Sequence, residues 1–495
     1  MNYAENIKKV RDIVNKMRYL ESLDGILYCD KWFTGPRDGF PYVTKVNAYL
    51  SELRQQQLLS SEVSQLVAAF EGYAPDQFAS DLDRGMVQFL RDRYRDAVCI
   101  PGEIQAALAT ANSRGQLAWE ECVREDNFEA FKPFLKEQLD VQTRIAAAID
   151  PNEEPFQVLV NRWDKGYRLS EIDAIFERLK ATIREIMQNR KEDDGQDILA
   201  LGDSTDLATK KQLIGELQTF LQFPKSQSVL YEIRHPVCTC VGPRDSRPAL
   251  NYTSLFKCLE NGSHEMGHGI YSCNSSEEVV EAGLWGGIEG AMHESQSRFY
   301  ETQVFFSKEF WTAFYPTLQK YVPAYRDVPM EQVYQALIRI NPQPIRLKAD
   351  ELTNTLHIII RYELERDYFN GKLRLDDLEE AWNARYQSYL GVTPKSPKEG
   401  ILQDVHWASG YYGYFQGYVL GDLYASQFRH KLELDCPQAY QNLADGDITQ
   451  INQWLKTNVH QYGQTYSANE TLKKATGEGL NDEYYIAYMK RKFDA

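Results

Sequence analysis

His264-Glu265-Met266-Gly267-His268, near the middle of the chain, is an H-E-x-x-H motif. On a helix, this spacing places both imidazoles on one face about one turn apart, which suits a single zinc ion. Glu265 is rotated by about 100° from its neighbour, so its carboxylate is free to lie beside the metal and take a proton from the attacking water. The motif therefore predicts a helix that holds a catalytic metal.

The motif is informative because the chain has only 8 histidines among 495 residues. The alternative interpretation is a pair of histidines on a helix surface. Gly262, Gly267 and Gly269 lie in the same segment, and each weakens an isolated helix by up to about 1 kcal/mol. Such glycines indicate that something packs very closely against this helix.

A catalytic zinc site needs a third protein ligand, and Glu294 is the candidate. It lies far enough after His268 for one helix to end near Asn274 and for a second to return to the metal. Arg298, one turn after Glu294, is expected to hold the second oxygen of that carboxylate. Spacing alone leaves four other acidic residues open as ligands, namely Glu277, Glu278, Glu281 and Glu289.

Hydrophobic periodicity predicts a mainly α fold. Residues 171–187 carry an apolar stripe at helical spacing, whereas residues 222–249 contain four prolines and predict a short β-ribbon or ordered loop before the metal helix. Residues 1–75 are predicted to form an N-terminal helical hairpin region that turns at Gly35-Pro36, and residues 190–206 a polar surface loop. Because the sequence shows no repeat or flexible linker, residues 1–495 are predicted to be a single large helical body.

The composition excludes several classes of partner. The chain has 55 Lys and Arg against 71 Asp and Glu, for a formal charge of −16, which argues against binding to nucleic acid or to an anionic membrane. Neither a membrane span nor a signal peptide is apparent, and the scattered cysteines favour reduced thiols, so a cytoplasmic location is expected. Cys238 and Cys240 are the only close pair of cysteines, and they lack the partners that a metal or redox site needs.

Further segments resemble the carboxypeptidase Taq family of zinc metallocarboxypeptidases. The family's H-E-S-Q-S-R motif is found at residues 293–298, and its I-R-x-x-A-D-E motif at residues 345–351. Residues 403–407 match the Q-D-x-H-W part of a third motif, and residues 410–421 match an aromatic, glycine-rich block. The resemblance covers most of the chain, and the joint occurrence of these motifs in order is highly specific.

The resemblance implies a role for each matched residue. His264, His268 and Glu294 would be the zinc ligands, Glu265 the general base and acid, and Arg346 the residue that binds the terminal carboxylate of the substrate. A guanidinium suits that task because it binds a carboxylate through two parallel hydrogen bonds. Without the family, Arg346 would be interpreted as a surface arginine that follows a proline-rich turn.

His406 and Tyr418 match polar positions near the family's cleft, where the resemblance implies that they steady the oxyanion or the substrate. Tyr414 competes with Tyr418 for that role, and both His406 and His357 have the alternative of being structural histidines. The resemblance also implies a mainly helical, zincin-like fold with a deep central groove, similar to peptidases of the neurolysin and angiotensin-converting-enzyme type. Residues 222–420 would form its zinc and substrate-binding core.

The chain departs from the family pattern at three places. The family's H-P-F is His235-Pro236-Val237 here, and the hydroxyl residue that ends D-x-R-x-T is replaced by Ala249. Gln416 replaces the last proline of G-Y-F-P. Since all zinc-site residues are present, these departures bear on the length and type of substrate and not on the activity.

Together these observations predict a homodimeric zinc carboxypeptidase that releases single residues, with broad preference, from peptides with a free C-terminus, with cobalt as a substitute metal. A metallo-endopeptidase or a dipeptidyl carboxypeptidase is the enzymatic alternative, because the zinc motif alone does not determine the bond that is cut. The other alternative is a non-catalytic, helical peptide-binding protein with a degenerate metal site.

Overall fold

A computed structural model describes residues 2–189 and 197–493, and within them the predicted mainly α fold is confirmed. Nine helices precede a small sheet: α1 Tyr3–Cys29, α2 Phe40–Leu58, α3 Ser61–Ala69, α4 Asp81–Cys99, α5 Gly102–Glu125, α6 Phe128–Ile149, α7 Pro155–Asn161, α8 Leu169–Asn189 and α9 Leu207–Phe220 in these described ranges. The strands are β1 Tyr231–Glu232, β2 Val237–Gly242 and β3 Asp245–Leu250.

The helices that follow the sheet contain the residues of the metal motif and most of the core. They are α10 Leu255–Cys273, α11 Glu277–Glu281, α12 Ala291–Arg298, α13 Lys308–Tyr321, α14 Met330–Leu337, α15 Glu351–Phe369, α16 Leu378–Leu390, α17 Gln416–Asp435, α18 Ala439–Ala444, α19 Thr449–Asn458, α20 Ala468–Thr476 and α21 Glu483–Phe493. A π-helical turn, Phe299–Phe305, continues directly from α12.

The predicted β-ribbon before the metal helix is a three-stranded sheet in the order β1-β3-β2. β2 and β3 are antiparallel, with Val237 opposite Ala249, whereas the short β1 runs parallel to β3. The register shifts between Cys240 and Gly242, which indicates a bulge near the turn into β3. The sheet leads into α10 through residues 251–254 and so fixes the start of that helix.

The apolar stripe predicted for residues 171–187 lies on α8, and its members are fully or almost fully buried. They are Ile172, Ile175, Leu179, Ile183 and Ile186. They belong to a large core cluster that extends from Cys122 to Met489, while a second cluster packs α1 against α3 and α4. The large cluster surrounds α10 and α12 with apolar side chains, so the polar residues on those helices are held in fixed surroundings.

The N-terminal region contains α1 and α2, and the chain between them passes through Gly35-Pro36. α1 packs directly on the sheet, because a methyl group added at Gly25 would lie 3.6 Å from the Cα atom of Val241 in β2. The last part of α1 is therefore next to β2, the strand that pairs with β3 ahead of α10. The division of the chain into a hairpin region and a core within one domain stays a prediction.

The predicted surface loop at residues 190–206 is tested only in part, since residues 190–196 lie outside the described residues. Ile198–Gly202 forms a short 3-10 helix because the side chain of Asp197 accepts a hydrogen bond from the backbone N–H of Ala200. Within the described ranges, none of the helices combines the length and the apolar character that crossing a bilayer requires. All eight cysteines are free thiols.

Candidate metal centre

α10 places the two motif histidines one turn apart, and its glycines are explained by what packs against it. A methyl group at Gly267 would lie 2.8 Å from the carbonyl oxygen of Gln296 and from the Cα atom of Ser297, both on α12. A methyl group at Gly269 would lie 2.6 Å from the ring of Phe223. Only glycine allows α12 to approach this closely, and the approach brings Glu294 to the histidines.

The three predicted ligands meet at one point. The Nε2 atom of His264 is 3.7 Å from Oε1 of Glu294, and the Nε2 atom of His268 is 3.6 Å from Oε2 of the same carboxylate. The donor atoms all lie within 4.8 Å of one another. Glu294 Oε1 is buried without a hydrogen-bond partner among the described residues, so the two imidazoles and the carboxylate fit a divalent ion of the zinc type.

The other acidic residues that spacing left open are not part of this group. Within the described residues, the cluster of possible metal-binding donors consists of His264, His268 and Glu294. Glu277 instead forms an ion pair with Arg244, at 2.7 Å between Oε1 and Nη2. The arrangement therefore favours Glu294 over its alternatives.

Each histidine is held through its Nδ1 atom. His264 donates from Nδ1 to Oε2 of Glu301 at 2.6 Å, while His268 and His293 share a hydrogen bond of 2.7 Å between their Nδ1 atoms. Ser272 contacts Nε2 of His293 at 3.2 Å and donates to the carbonyl oxygen of His268 at 2.9 Å. These contacts orient both Nε2 atoms toward Glu294.

The expectation that Arg298 holds Glu294 was wrong. Arg298 donates to Oε1 of Glu301 at 2.7 Å and to Oδ1 of Asp422 at 2.6 Å. It is buried between α12 and α17, where Asp422 supplies a carboxylate that the local sequence does not reveal. Glu301 was missed by the sequence analysis, although its position seven residues after Glu294, two helical turns away, is a signal that could have identified it.

Glu265 is almost completely buried on α10. Burial raises the pKa of its carboxyl group to about 7, against the charge of His264 and with the help of the negative charges of Glu294 and Glu301. No hydrogen bond to the Glu265 carboxylate occurs within the described ranges, so its oxygens are available to a substrate or to water. A carboxyl group with a pKa near neutrality is suited to accepting and returning a proton.

Arg346, predicted to bind the substrate's carboxylate, already has a partner. Asp404 accepts hydrogen bonds from Nε at 3.1 Å and from Nη2 at 2.8 Å. Arg361 donates to the same carboxylate at 2.7 Å. Although burial opposes it, these two guanidinium groups hold the pKa of Asp404 well below its usual range. Two cations and one anion leave this buried cluster with a net positive charge.

His406 and Tyr418 lie beside this cluster. Nε2 of His406 is 3.3 Å from the hydroxyl of Tyr418, and the guanidinium of Arg346 is 5.6 Å from the centre of the Tyr418 ring. Burial and the guanidinium charges lower the pKa of His406 to about 4, although Asp404 raises it, so the ring is neutral at pH 7. The rings of Tyr414 and Tyr418 lie 5.4 Å apart and nearly perpendicular to each other, so both candidate tyrosines are at the site.

The predicted metal ligands and the cluster around Arg346 lie close enough for the charges of one group to shift pKa values in the other. Burial raises the pKa of Glu294, and the positive charges of His264, Arg298 and Arg346 oppose that rise. Glu294 in turn raises the pKa of Tyr418, which burial raises most. His357 lies deeper, fully buried, with its Nδ1 atom 2.9 Å from the hydroxyl of Tyr386, as expected for a structural histidine.

An H-E-x-x-H helix that meets a glutamate on a following helix, inside a mainly helical fold, defines a metallopeptidase. Comparison with known proteins agrees. Residues 9–493 match the family described as carboxypeptidase Taq (M32) metallopeptidase. The chain is 30% identical to carboxypeptidase 1 of Bacillus subtilis over 98% of this chain and 97% of that protein.

It is also 30% identical to thermostable carboxypeptidase 1 of Thermus thermophilus, over 96% of each chain. The solved structure of Pyrococcus furiosus carboxypeptidase superimposes with a TM-score of 0.93 at 29% identity, covering 100% of this chain and 99% of that one. The chain belongs to the carboxypeptidase Taq (M32) metallopeptidase family. It is therefore a metallocarboxypeptidase, a hydrolase that acts on peptides with the aid of a catalytic metal.

Proposed function

We propose that this metallocarboxypeptidase uses zinc, held by His264, His268 and Glu294, to release single residues from the free C-termini of peptides. The observation that carries the proposal is the convergence of two imidazole Nε2 atoms on one carboxylate, at 3.7 and 3.6 Å. Cobalt would substitute because it accepts the same ligands. When bound, the ion polarises the scissile carbonyl and lowers the pKa of a nearby water.

In this proposal Glu265 moves the proton. Its carboxylate removes a proton from the attacking water and returns it to the nitrogen of the departing residue. The buried position that raises its pKa to about 7 makes both transfers feasible near neutral pH. Glu301 and His293 keep the imidazoles oriented during the reaction, because each occupies an Nδ1 atom.

Arg346 would bind the substrate's terminal carboxylate by its outer edge. Asp404 occupies the edge formed by Nε and Nη2, and no hydrogen bond donated by Nη1 is found within residues 2–189 and 197–493. The Nη1 side therefore remains for a ligand. The net positive charge of the cluster supports capture of an anion despite the overall charge of −16. Tyr418 and the neutral His406 would steady the substrate or the oxyanion.

The test is mass spectrometry of a peptide incubated with the wild-type protein, with Glu265→Gln and with chelator-treated protein. A ladder of single-residue losses is expected from the metal-loaded wild type alone, and Glu265→Gln should lose at least about 10³-fold in kcat while it still binds zinc. Equal ladders from the wild type and from Glu265→Gln would contradict the assigned role of Glu265.

A matched pair of peptides, one with a free and one with an amidated C-terminus, separates the exopeptidase from the endopeptidase alternative. The amidated peptide should resist cleavage because it offers no carboxylate to Arg346. Cleavage of both at equal rates, or release of dipeptides first, would favour the alternative activities. Intact peptide in every sample with zinc would favour the non-catalytic, peptide-binding alternative.

We further propose that the protein acts as a homodimer in the cytoplasm. The family resemblance supports the dimer, and the eight free thiols are consistent with a reducing compartment. Light scattering after size-exclusion chromatography tests the first point, since a mass near 57.2 kDa would identify a monomer. Fractionation of the source cells tests the second.

A further inference from the structure

Residues 406–418, here called the aromatic segment, are anchored by a buried carboxylate outside the metal centre. Glu365 on α15 accepts a hydrogen bond from Nε1 of Trp407 and another from the backbone N–H of Gly413, both at 2.7 Å. The segment contains His406 and Tyr418, which we assign to the substrate. Its position relative to the metal ligands therefore matters for catalysis.

Gln416 is a second anchor of this segment, and it is fully buried at the first position of α17. Its Nε2 atom donates to the carbonyl oxygen of Gly413 at 2.6 Å and to Oδ2 of Asp164 at 3.0 Å. Its Oε1 atom has no partner within the described residues. An unpaired buried acceptor costs free energy, so the two donated bonds are the favourable polar contacts that this side chain makes here.

Asp164 connects this amide to the metal-ligand helix. Its Oδ1 atom accepts a hydrogen bond of 2.6 Å from the backbone N–H of Ala291, the first residue of α12. Methyl groups at Gly290 and Gly417 would lie 2.6 and 3.0 Å from its two carboxylate oxygens. The surroundings are thus shaped to hold this carboxylate between α12 and α17.

We propose that Asp164 and Gln416 are positioning residues that fix the aromatic segment relative to the helix of Glu294. This inference rests on the proposed roles of Glu294, His406 and Tyr418. A chain of hydrogen bonds runs from Ala291 through Asp164 and Gln416 to Gly413. The family has proline at the position of Gln416. Proline has no side-chain donor, so it could not form the hydrogen bonds that Gln416 donates to Asp164 and Gly413.

Gln416→Pro is an informative variant because proline is favoured at the first position of a helix, where its missing N–H is not needed. The variant removes both donated bonds. Because proline also disfavours the αR conformation of the preceding Phe415 (φ −61°, ψ −33°), Gln416→Leu, which removes the same bonds without restricting the backbone, is measured beside it. Since small displacements of substrate-binding groups cost up to about 100-fold in rate, we expect about a tenfold rise in KM for a pentapeptide with a free C-terminus. Zinc affinity should change less than twofold because α12 keeps its bond to Asp164.

Gln427→Met is the matched control. Gln427 lies on the same helix, is almost fully buried, and donates to Thr476 and to the carbonyl oxygen of Gly479 at 3.2 and 2.9 Å. Loss of these two hydrogen bonds in Gln427→Met should lower the melting temperature of the protein without changing KM. Asp164→Asn and the double variant with Gln416→Pro complete the cycle, and their effects on KM should be strongly non-additive because both act through one connection.

A purely structural role would produce a different pattern. If Gln416→Pro lowers the melting temperature as Gln427→Met does but leaves KM and kcat at wild-type values, the proposal is overturned. Additive effects of Asp164→Asn and Gln416→Pro would also overturn it. To separate this outcome from failure of the proposed activity, binding of an uncleaved pentapeptide to the zinc-loaded Glu265→Gln protein is measured by calorimetry, with and without Gln416→Pro. That measurement needs no turnover.

Discussion

Glu301 shows how one residue outside the proposed ligand set orients an imidazole of that set. It accepts from His264 through one oxygen and from Arg298 through the other. Although burial opposes it, the charge of Arg298 and the hydrogen bond from His264 lower the pKa of Glu301 below its usual range. The residue is therefore ionised throughout the working range, and it keeps the tautomer of His264 that presents Nε2 to the metal.

We expect Glu301→Gln to weaken zinc binding by about 10- to 100-fold, the usual effect of removing such a partner. Competition with a chromophoric chelator measures this affinity. Glu363→Gln is the matched control, because Glu363 also binds two partners, Lys180 and Tyr389, each at 2.7 Å. A control variant that lost as much affinity as Glu301→Gln would show that the effect is not specific to the site.

At the residue scale, the sequence predicted what depends on local spacing. His264, Glu265 and His268 follow from one helical turn, and Glu294 follows from the motif that carries it. Asp404 as the partner of Arg346 could not be predicted in this way, because residues 58 positions apart meet only in the folded chain. The same reason explains the error at Arg298, whose partner Asp422 is on another helix.

At the scale of elements, periodicity predicted the helices because each buries one apolar face, as α8 does. The sheet was predicted less completely. Its location before α10 was correct, but the parallel pairing of β1 with β3 depends on contacts between residues far apart in the sequence, which the local pattern does not reveal. The short 3-10 helix Ile198–Gly202 was not predicted either, since a single capping contact from Asp197 decides it.

The contact between α12 and α17 leads to a test with a single added methyl group. A methyl group at Gly421 would lie 3.1 Å from both Cβ and Cγ of Glu294, which is tight enough to displace this proposed ligand. We expect Gly421→Ala to weaken zinc binding by about tenfold, since one misplaced ligand is costly. Isothermal titration with zinc measures the effect.

Gly215→Ala on α9 is the control for that substitution, because a methyl group there meets nothing within 4 Å. Alanine in an open helical position stabilises the helix by up to about 1 kcal/mol, so this variant should bind zinc normally and melt at the same or a higher temperature. Normal zinc affinity in Gly421→Ala would mean that α12 can move away without cost.

At the scale of the whole molecule, zinc should act as a stabilising ligand. Because the three donors belong to α10 and α12 in the centre of the core, binding favours the folded state by about 2.7 kcal/mol at a free concentration of 100 times the dissociation constant. Calorimetric melting with and without zinc measures the shift. Glu294→Gln should abolish most of it, and an equal shift in that variant would place the stabilising ion elsewhere.

His460 makes the whole fold sensitive to acid. It accepts a hydrogen bond from Asn274 at 3.1 Å and donates to Gln296 at 2.9 Å, and burial lowers its pKa to about 3. The unfolded chain takes up a proton near pH 6.5, whereas the folded chain does not. The stability that this residue contributes is complete above pH 6.5 and is lost as the pH falls toward 3.

We therefore expect His460→Gln, which offers one donor and one acceptor, to unfold with a weaker dependence on acid. Between pH 6 and pH 5 the free energy of unfolding should fall by about 1.2 kcal/mol less than in the wild type. Urea denaturation at the two pH values provides the comparison. Parallel slopes for the two proteins would show that His460 is not the group responsible.

The glycine at position 267 also limits how this enzyme could change in evolution. α12 touches α10 at a point where even one methyl group at Gly267 would lie 2.8 Å from its backbone, so the smallest possible enlargement of this residue would already force the two helices apart. A lineage that adopts another metal would more readily exchange a donor atom than widen the spacing between the ligands. The close packing of two helices thus restricts how far the Glu294 carboxylate could drift from the two imidazoles through small successive substitutions.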